Sequence, residues 1–249
     1  SLRKAKERMM LEEAEIKPEI TNKLAVALDV DDTVAAIRLA KELQPYFGVA
    51  KVGLELFSAA GPDILGTLSD LGYKIFLDLK LHDIPNTVES AARVLGSLGI
   101  DYLTLHTAGG KEMVSAGVQG LNEGATNAGL EAPIALGVTI LTSQKETPKE
   151  IMKERFSIAK ESGCRGIVCS ALNLSEALVE IPELLYVVPG IRPAGVEAHD
   201  QANVATPLGA LEQGADLLVI GRAVTKASDP RRAAREILME ISQITPKNN

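Results

Sequence analysis

The sequence predicts an α/β fold, because short apolar strands and amphipathic helices alternate along most of the chain. Eight strand-like runs are found at 24–29, 49–54, 74–80, 102–106, 134–139, 166–170, 185–189 and 216–220. Segments with helical spacing of apolar residues follow them at 33–46, 57–71, 86–98, 110–121, 147–162, 173–180, 204–213 and 229–243. Such alternation favours parallel strands joined by right-handed crossovers. Eight units in a chain of about 250 residues predict a TIM (β/α)8 barrel.

The length and composition fit one large core. The chain has 249 residues, 46% of them hydrophobic, and no linker rich in Pro or Gly divides it. We therefore expect a single barrel domain over residues 23–249. Residues 1–22, rich in Lys, Arg, Glu and Met, are expected to form a helical or partly ordered extension without a chemical role.

A doubly wound open sheet is the alternative fold. Its dinucleotide-binding form needs Gly-x-Gly-x-x-Gly after the first strand, whereas Asp29-Val30-Asp31-Asp32 follows that strand here. The sequence also contains neither a Walker A loop nor a zinc-type histidine pair. Two similar tripeptides, Gly99-Ile100-Asp101 and Gly214-Ala215-Asp216, fit helix ends that turn into the next strand of a barrel.

Composition disfavours several classes of partner. The net charge of −7, the absence of Trp and the 3% aromatic content disfavour a nucleic-acid-binding protein. No apolar run approaches the length of a membrane span, and no signal-peptide pattern opens the chain, so no membrane association is expected. Cys164 and Cys169 belong to no ligand motif, which favours a reduced, cytoplasmic setting.

The third strand carries charge where a barrel strand should be apolar. Ile75, Leu77, Leu79 and Leu81 alternate with Phe76, Asp78 and Lys80, which places a carboxylate and an ammonium together on one face. Charges inside a core are costly, and the simplest interpretation of Asp78 and Lys80 alone is a structural ion pair. Asp83 follows just beyond the strand end. Because barrel enzymes place their chemistry at the carboxyl ends of strands, Asp78, Lys80 and Asp83 are candidate catalytic residues.

Most of the other strand ends carry polar groups as well, and a barrel would bring them together. They are Asp29 after the first strand, Lys51 in the second, His106 at the fourth, Thr142 and Ser143 after the fifth, Arg192 after the seventh and Arg222 after the eighth. The loops after strands seven and eight commonly bind phosphate. Gly221 permits close backbone approach to an anion, and Arg222 can contact two of its oxygens. Arg192 and Gln201 add donors from the loop 190–203, although a solvated loop with one arginine would be ordinary.

These residues match the motifs of a known family. Lys51-Val52-Gly53 and Asp78-x-Lys80-x-x-Asp83, followed by Ile84-Pro85-Asn86-Thr87, resemble orotidine 5′-phosphate decarboxylases of the bacterial type. The resemblance covers roughly residues 23–243 and continues through 103–110, 141–143, 189–193 and 219–222. The Asp-x-Lys-x-x-Asp motif alone is shared with related sugar-phosphate barrels, but its combination with the other motifs is specific.

The resemblance implies an activity and an assembly. The reaction would be decarboxylation of orotidine 5′-monophosphate (OMP) to uridine 5′-monophosphate (UMP) and CO2, the last step of de novo pyrimidine synthesis. It would need neither a metal nor an organic cofactor. The active site would be shared across a homodimer, in which one chain supplies Lys51, Asp78 and Lys80 and the partner supplies Asp83.

The resemblance also implies the substrate contacts. Asp29 and Lys51 would bind the ribose hydroxyls, assisted by Thr87 from the partner chain. Thr142 and Ser143 would contact the pyrimidine. The phosphate would be held by Gln201, Gly221 and Arg222, and Arg192 would belong to the loop that closes over it.

Two other functions remain open at this point. A magnesium-dependent relative, of the hexulose-phosphate synthase or keto-gulonate-phosphate decarboxylase type, would need a further acidic ligand near the second strand, where the sequence offers Glu55. A non-catalytic nucleotide-phosphate sensor should lack one of the four candidate catalytic residues, and all four are present: Lys51, Asp78, Lys80 and Asp83. His82 and His106 are interpreted as structural histidines rather than metal ligands.

Overall fold

The strands close into a parallel barrel. The computed structural model describes residues 16–141, 147–193, 195 and 205–242. Every neighbouring pair of strands is parallel, the strands follow one another in chain order, and the last strand pairs with the first. The predicted TIM barrel is thereby confirmed. The strands are β1 (Leu24–Ala27), β2 (Val49–Gly53), β3 (Lys74–Leu81), β4 (Tyr102–His106), β5 (Ile134–Val138), β6 (Gly166–Val168), β7 (Leu185–Val188) and β8 (Leu217–Ile220).

Helices connect the strands on the outside of the barrel. They are α1 (Pro18–Thr21), α2 (Thr33–Leu43), α3 (Leu54–Ala60), α4 (Asp63–Asp70), α5 (Pro85–Gly96), α6 (Gly110–Asn127), α7 (Lys149–Glu161), α8 (Leu174–Glu180), α9 (Pro207–Glu212), α10 (Arg222–Thr225) and α11 (Pro230–Ile241). The helix predicted over 57–71 is two helices, because Gly61 has a positive φ of 68° and Pro62 follows it. The short α10 was not predicted. Residues 1–15 of the predicted extension lie outside the described residues.

Apolar side chains form two layers, one inside the barrel and one around it. The interior holds a compact cluster formed by Ala25, Ala27, Val49, Phe76, Leu136, Val187, Leu217 and Val219. A larger apolar layer separates the outer faces of the strands from the helices. Within the described part of the chain, no helix is long and apolar enough to span a membrane.

Side-chain caps fix where several helices begin. The Asp32 carboxylate accepts a hydrogen bond from the Ala35 N–H at 2.6 Å, and that of Asp229 accepts one from the Arg232 N–H at 2.9 Å. Each cap satisfies a backbone donor that the first helical turn leaves without a partner. The short polar runs between strands and helices are therefore helix starts as well as loops.

The two Gly-x-Asp tripeptides are equivalent clamps at the amino-terminal end of the barrel. Asp101 accepts the Ile75 N–H at 2.7 Å and donates its own N–H to the Ile75 carbonyl oxygen at 2.9 Å. Asp216 makes the same pair of bonds with Tyr186, at 2.8 and 2.9 Å. Gly99 and Gly214 have φ of 73° and 107°, so glycine permits the turn before each aspartate. Each clamp fastens a strand to the start of the strand before it.

Helices α5 and α6 approach each other unusually closely. A methyl group at Gly120 would overlap the Glu89 carbonyl oxygen, and one at Gly124 would overlap that of Arg93. Gly96 faces the Leu121 carbonyl oxygen in the same way. This glycine-lined contact fixes α5, whose first turn directly follows the loop that carries Asp83.

Candidate active site

The carboxyl ends of the strands surround a cavity of about 520 Å³. Its lining is unusually rich in charge for the inside of a barrel, and it joins residues far apart in the sequence. The charged lining residues are Asp29, Lys51, Glu55, Asp78, Lys80, Arg192, Arg222 and Lys226. The predicted convergence of the polar strand ends is therefore confirmed for Asp29, Lys51, Asp78, Lys80, Arg192, Gly221 and Arg222.

Lysine and aspartate alternate along one wall of this cavity. The Lys80 Nζ lies 2.7 Å from the Asp78 Oδ2, and the Lys51 Nζ lies 3.3 Å from the same oxygen. Lys51 Nζ also lies 3.8 Å from the Asp29 Oδ1. Asp78 is thus held between two cations, and Lys51 between two anions. We call Lys80, Asp78, Lys51 and Asp29 the charged row.

Asp78 is the most enclosed member of the row. Its side chain is 8% exposed, compared with 14% for Lys51 and 35% for Lys80. Burial acts to raise the pKa of Asp78, but the charges of Lys51 and Lys80 and the hydrogen bonds from Lys80 and Thr104 outweigh it. The pKa of Asp78 is therefore lowered, and the carboxyl is ionised at neutral pH.

The backbone of β3 is irregular at Lys80. Lys80 has a φ of 48°, a left-handed conformation that is uncommon for a residue with a side chain. Its N–H donates to the Thr104 Oγ1 at 2.9 Å, and the Thr104 hydroxyl donates to the Asp78 Oδ1 at 2.9 Å.

The predicted alternation of faces is confirmed, since Asp78 and Lys80 both line the cavity while Leu79 and Leu81 pack against the outer apolar layer. What alternation did not predict is the irregular pairing of β3 with β4 between Leu77 and Leu81. Sequence reasoning missed Thr104, although its place between Tyr102 and His106 on one face of β4 marks an inward polar position.

Asp83 lies apart from the charged row. It is exposed in the loop after β3, and its Oδ1 accepts the Ile84 N–H at 2.6 Å. Among the described residues, the structure shows no ion pair between Asp83 and Lys51 or Lys80. Thr87 is also exposed, in the first turn of α5. One chain therefore brings together three of the four predicted catalytic residues and presents Asp83 and Thr87 on its surface.

Cations gather on the side of the cavity formed by β7 and β8. Arg192 is only 3% exposed although it lines the cavity, and its backbone N–H donates to the Ala205 carbonyl oxygen at 2.9 Å. Arg222 and Lys226 line the same side, at the start of α10 and just after its end. Three positive charges around one end of a cavity suit an anionic group of a ligand. The predicted contacts Thr142, Ser143 and Gln201 lie outside the described residues.

His82 and His106 stack on each other next to the charged row. Their ring centroids are 5.5 Å apart with an interplanar angle of 25°, and the His106 Nδ1 accepts the Ala108 N–H at 3.0 Å. Burial lowers the pKa of His106, and the nearby His82, Arg155 and Lys80 side chains lower it further. Within the ranges that the structure describes, no group of three or more His, Cys, Asp or Glu side chains is arranged to hold a metal ion.

Fold and site together define the class of protein, a TIM-barrel enzyme with its charged cavity at the carboxyl end of the strands. The model of the orotidine 5′-phosphate decarboxylase / HUMPS family matches residues 22–237. The chain belongs to this family. The resemblance inferred from its motifs is thereby confirmed.

Individual relatives extend over nearly the whole chain. A protein of Moorella thermoacetica named orotidine 5′-phosphate decarboxylase is 42% identical over 243 residues, covering 92% of this chain and 96% of the relative. The crystal structure of orotidine 5′-phosphate decarboxylase from Lactobacillus acidophilus is 40% identical, with a TM-score of 0.74, and the match covers 88% of this chain and 99% of that one. The enzyme of the same name from Pyrococcus horikoshii OT3 is 27% identical, with a TM-score of 0.72, over 89% of this chain and all of its own.

Proposed function

We propose that this protein decarboxylates OMP to UMP and CO2, the last step of UMP synthesis. The charged row carries the proposal, because it sets a buried carboxylate between two ammonium groups in a cavity that has cations at its other side. Membership of the family and the names of the relatives support the same reaction.

Lys80 is the proposed acid. Cleavage of the bond between C6 of the pyrimidine and the carboxylate leaves an electron pair on C6, with no good internal electron sink. The Lys80 ammonium stabilises this carbanion-like centre by its charge and then transfers a proton to C6, forming UMP. Solvent afterwards returns a proton to the Lys80 amine. The 35% exposure of the Lys80 side chain is compatible with that exchange.

Asp78 and Lys51 prepare the site for this step. The Asp78 carboxylate would lie beside the departing carboxylate and repel it, so that loss of CO2 relieves the repulsion. The same carboxylate lies 2.7 Å from the Lys80 ammonium and 3.3 Å from that of Lys51, so it contacts both ammonium groups and holds them at one wall of the cavity. Lys51 therefore helps to hold Asp78 ionised and in place.

The remaining candidate residues bind the substrate away from the reacting carbon. We assign the ribose hydroxyls to Asp29 and Lys51, which lie 3.8 Å apart in the row. The phosphate is assigned to Gly221, Arg222 and Gln201, with Arg192 above it, and the pyrimidine to Thr142 and Ser143. Binding energy from the distant phosphate can stabilise a closed, water-poor site in the transition state.

A homodimer would complete the site. Asp83 and Thr87 face solvent in one chain, and Ile84, an apolar side chain next to Asp83 at the start of α5, is 65% exposed. We assign Asp83 and Thr87 to the active site of the partner chain. Sedimentation equilibrium should then report twice the mass of one chain, and a monomer at all concentrations would contradict this assembly.

The proposed reaction needs no metal and no organic cofactor. Lys51 already lies between the Asp29 and Asp78 carboxylates, so its ammonium occupies the position from which a cation would neutralise them. The test is an absorbance assay with OMP in the presence of EDTA, and full turnover is expected. Activity lost on chelation and restored by magnesium would favour the magnesium-dependent relatives, with Glu55 as a further acidic group at the cavity. Nucleotide binding without turnover would favour a sensor.

The proposed compartment is the cytoplasm. Cys164 and Cys169 are both free and buried, and burial raises the pKa of each thiol to about 12. The described structure thus uses these thiols as small buried side chains rather than as a disulfide. Microscopy of a fluorescent fusion tests this assignment, and a signal confined to the cell envelope would contradict it.

A further inference from the structure

We infer that Thr104 is a positioning residue, whose hydroxyl holds Asp78 and Lys80 in their working arrangement. The inference rests on the proposed function, since it assigns a role within the proposed site. Thr104 does not line the cavity and is fully buried behind it, so it would act through the two charged residues rather than on the substrate.

The pairing of β3 with β4 shows why a hydroxyl is needed. Leu77 pairs with Leu103, but the next aligned pair is Leu81 with Leu105, so three residues of β3 oppose Thr104 alone. The ladder is broken over this stretch, and the Lys80 N–H donates to the Thr104 Oγ1 at 2.9 Å instead of to a strand carbonyl. The Thr104 side chain therefore replaces a missing backbone acceptor and supports the left-handed conformation of Lys80.

The same hydroxyl divides the contacts of Asp78. A hydroxyl has one proton to donate, and here it points to the Asp78 Oδ1 at 2.9 Å. The Asp78 Oδ2 is thereby left to the two ammonium groups, at 2.7 Å from Lys80 and 3.3 Å from Lys51. One side chain thus sets the orientation of the carboxylate and the backbone of the lysine that pairs with it.

Loss of the hydroxyl would leave a buried N–H and a carboxylate oxygen without this partner. The Lys80 backbone would then be free to leave its left-handed conformation, and its Nζ would move relative to Asp78. A displacement of about 1 Å in a catalytic group can lower a rate by about 100-fold. Binding of the nucleotide depends on other residues and should change much less.

The experiment compares variants that differ in one atom or group. Thr104→Val keeps the shape and removes the hydroxyl, whereas Thr104→Ser keeps the hydroxyl. We expect kcat for OMP to fall about 100-fold in Thr104→Val with KM little changed, and to stay within about threefold of wild type in Thr104→Ser. The matched control is Thr107→Val, which also removes a buried hydroxyl, one that donates to the Val138 carbonyl oxygen at 2.7 Å. A merely structural role would lower stability in both valine variants and leave both kcat values unchanged.

A kcat equal to that of wild type in Thr104→Val would overturn the inference. If Thr104→Val does not fold, Thr104→Ser and Thr104→Cys are compared instead. These two variants differ only in an oxygen against a sulfur atom, which forms much weaker hydrogen bonds. A kcat at least about tenfold lower in the cysteine variant is expected, and equal values would overturn the inference. If the proposed function is wrong, crystal structures of wild type and of the Thr104 variant still test the role of Thr104. If wild type leaves OMP unchanged, the hydroxyl-free variant must still show Lys80 outside the left-handed region, and an unaltered Lys80 would refute the role.

Discussion

Lys80 combines an unusual backbone conformation with a central position in the proposed chemistry. Its backbone adopts a conformation that is strained for a side-chain-bearing residue, and its ammonium forms the shortest ion pair of the charged row, 2.7 Å from the Asp78 Oδ2. Strain of this kind is retained where surrounding contacts compensate for it, and here Thr104 and Asp78 both hold Lys80. These contacts hold the Lys80 ammonium at a defined point of the cavity, unlike the ammonium of a mobile surface lysine.

Replacement of Lys80 by alanine should abolish turnover but not nucleotide binding. A general acid contributes about 10²–10⁴-fold, and the loss of its charge next to the developing carbanion adds to this, so we expect kcat to fall by more than about 10⁴-fold. UMP binding, measured by calorimetry, should remain. The matched control is Lys111→Ala, which removes an exposed lysine paired with Glu161 and should leave kcat unchanged. Turnover close to wild type in Lys80→Ala would end the proposed mechanism.

The lowered pKa of Asp78 predicts how the free energy of unfolding depends on pH in acid. Its pKa is lowered in the folded protein, so its contribution is fully present above the unfolded pKa of about 3.9 and is lost as the pH falls through the folded pKa. Asp78→Asn lacks this contribution. We expect its free energy of unfolding, from urea titrations between about pH 2.5 and pH 7, to fall less steeply below about pH 4 than that of wild type. Identical slopes in acid would show that Asp78 does not gain from its two lysines.

At the scale of the elements, the polar residues at the strand ends were predictable, whereas the irregular pairing of β3 with β4 was not. The positions of Asp78, Lys51 and Arg222 follow from local hydrophobic patterns, because a parallel barrel gathers all strand carboxyl ends at one side. The irregular pairing at Thr104 depends on the register between β3 and β4, which single-strand alternation does not encode. The break at Gly61-Pro62 was visible as turn residues, but an apolar pattern continuing across it favoured one helix.

The close contact between α5 and α6 predicts a large effect of one methyl group. Gly124→Ala would place its Cβ against the Arg93 carbonyl oxygen, so the helices must separate, and we expect a loss of about 1–3 kcal/mol in the free energy of unfolding. Gly66→Ala in α4 is the matched control, since a Cβ there meets no atom within 4 Å. Removing a helical glycine should stabilise that variant by about 0.5–1 kcal/mol. Equal effects of the two substitutions, measured by urea unfolding, would argue against the close helix contact.

At the scale of the whole molecule, the cavity of a single chain contains three of the four proposed catalytic residues. The charged row and the cation-lined side of the cavity belong to one chain, while Asp83 and Thr87 lie on its surface. The net negative charge of the chain disfavours binding to nucleic acid, yet three cations gather at one end of its cavity. This local arrangement follows from the closure of the barrel and could be predicted only once the fold was inferred.

A shared site predicts recovery of activity from two inactive variants. Lys80→Ala and Asp83→Ala chains are each expected to be inactive, and equal amounts are mixed under conditions that allow subunit exchange. Half of the dimers are then hybrids with one intact site of two, so about a quarter of wild-type activity should return. Demonstrated exchange without any recovered activity would place both residues in the site of the same chain.

The most direct test of the central claim is the fate of C6 in OMP. Enzyme and OMP are mixed in D2O with EDTA, and the nucleotide product is followed by NMR. The account predicts one CO2 released for each OMP consumed and UMP carrying deuterium at C6, because the Lys80 ammonium exchanges with solvent before it delivers its proton. OMP left intact with its carboxylate at stoichiometric enzyme, or turnover that appears only when magnesium is added, would contradict it.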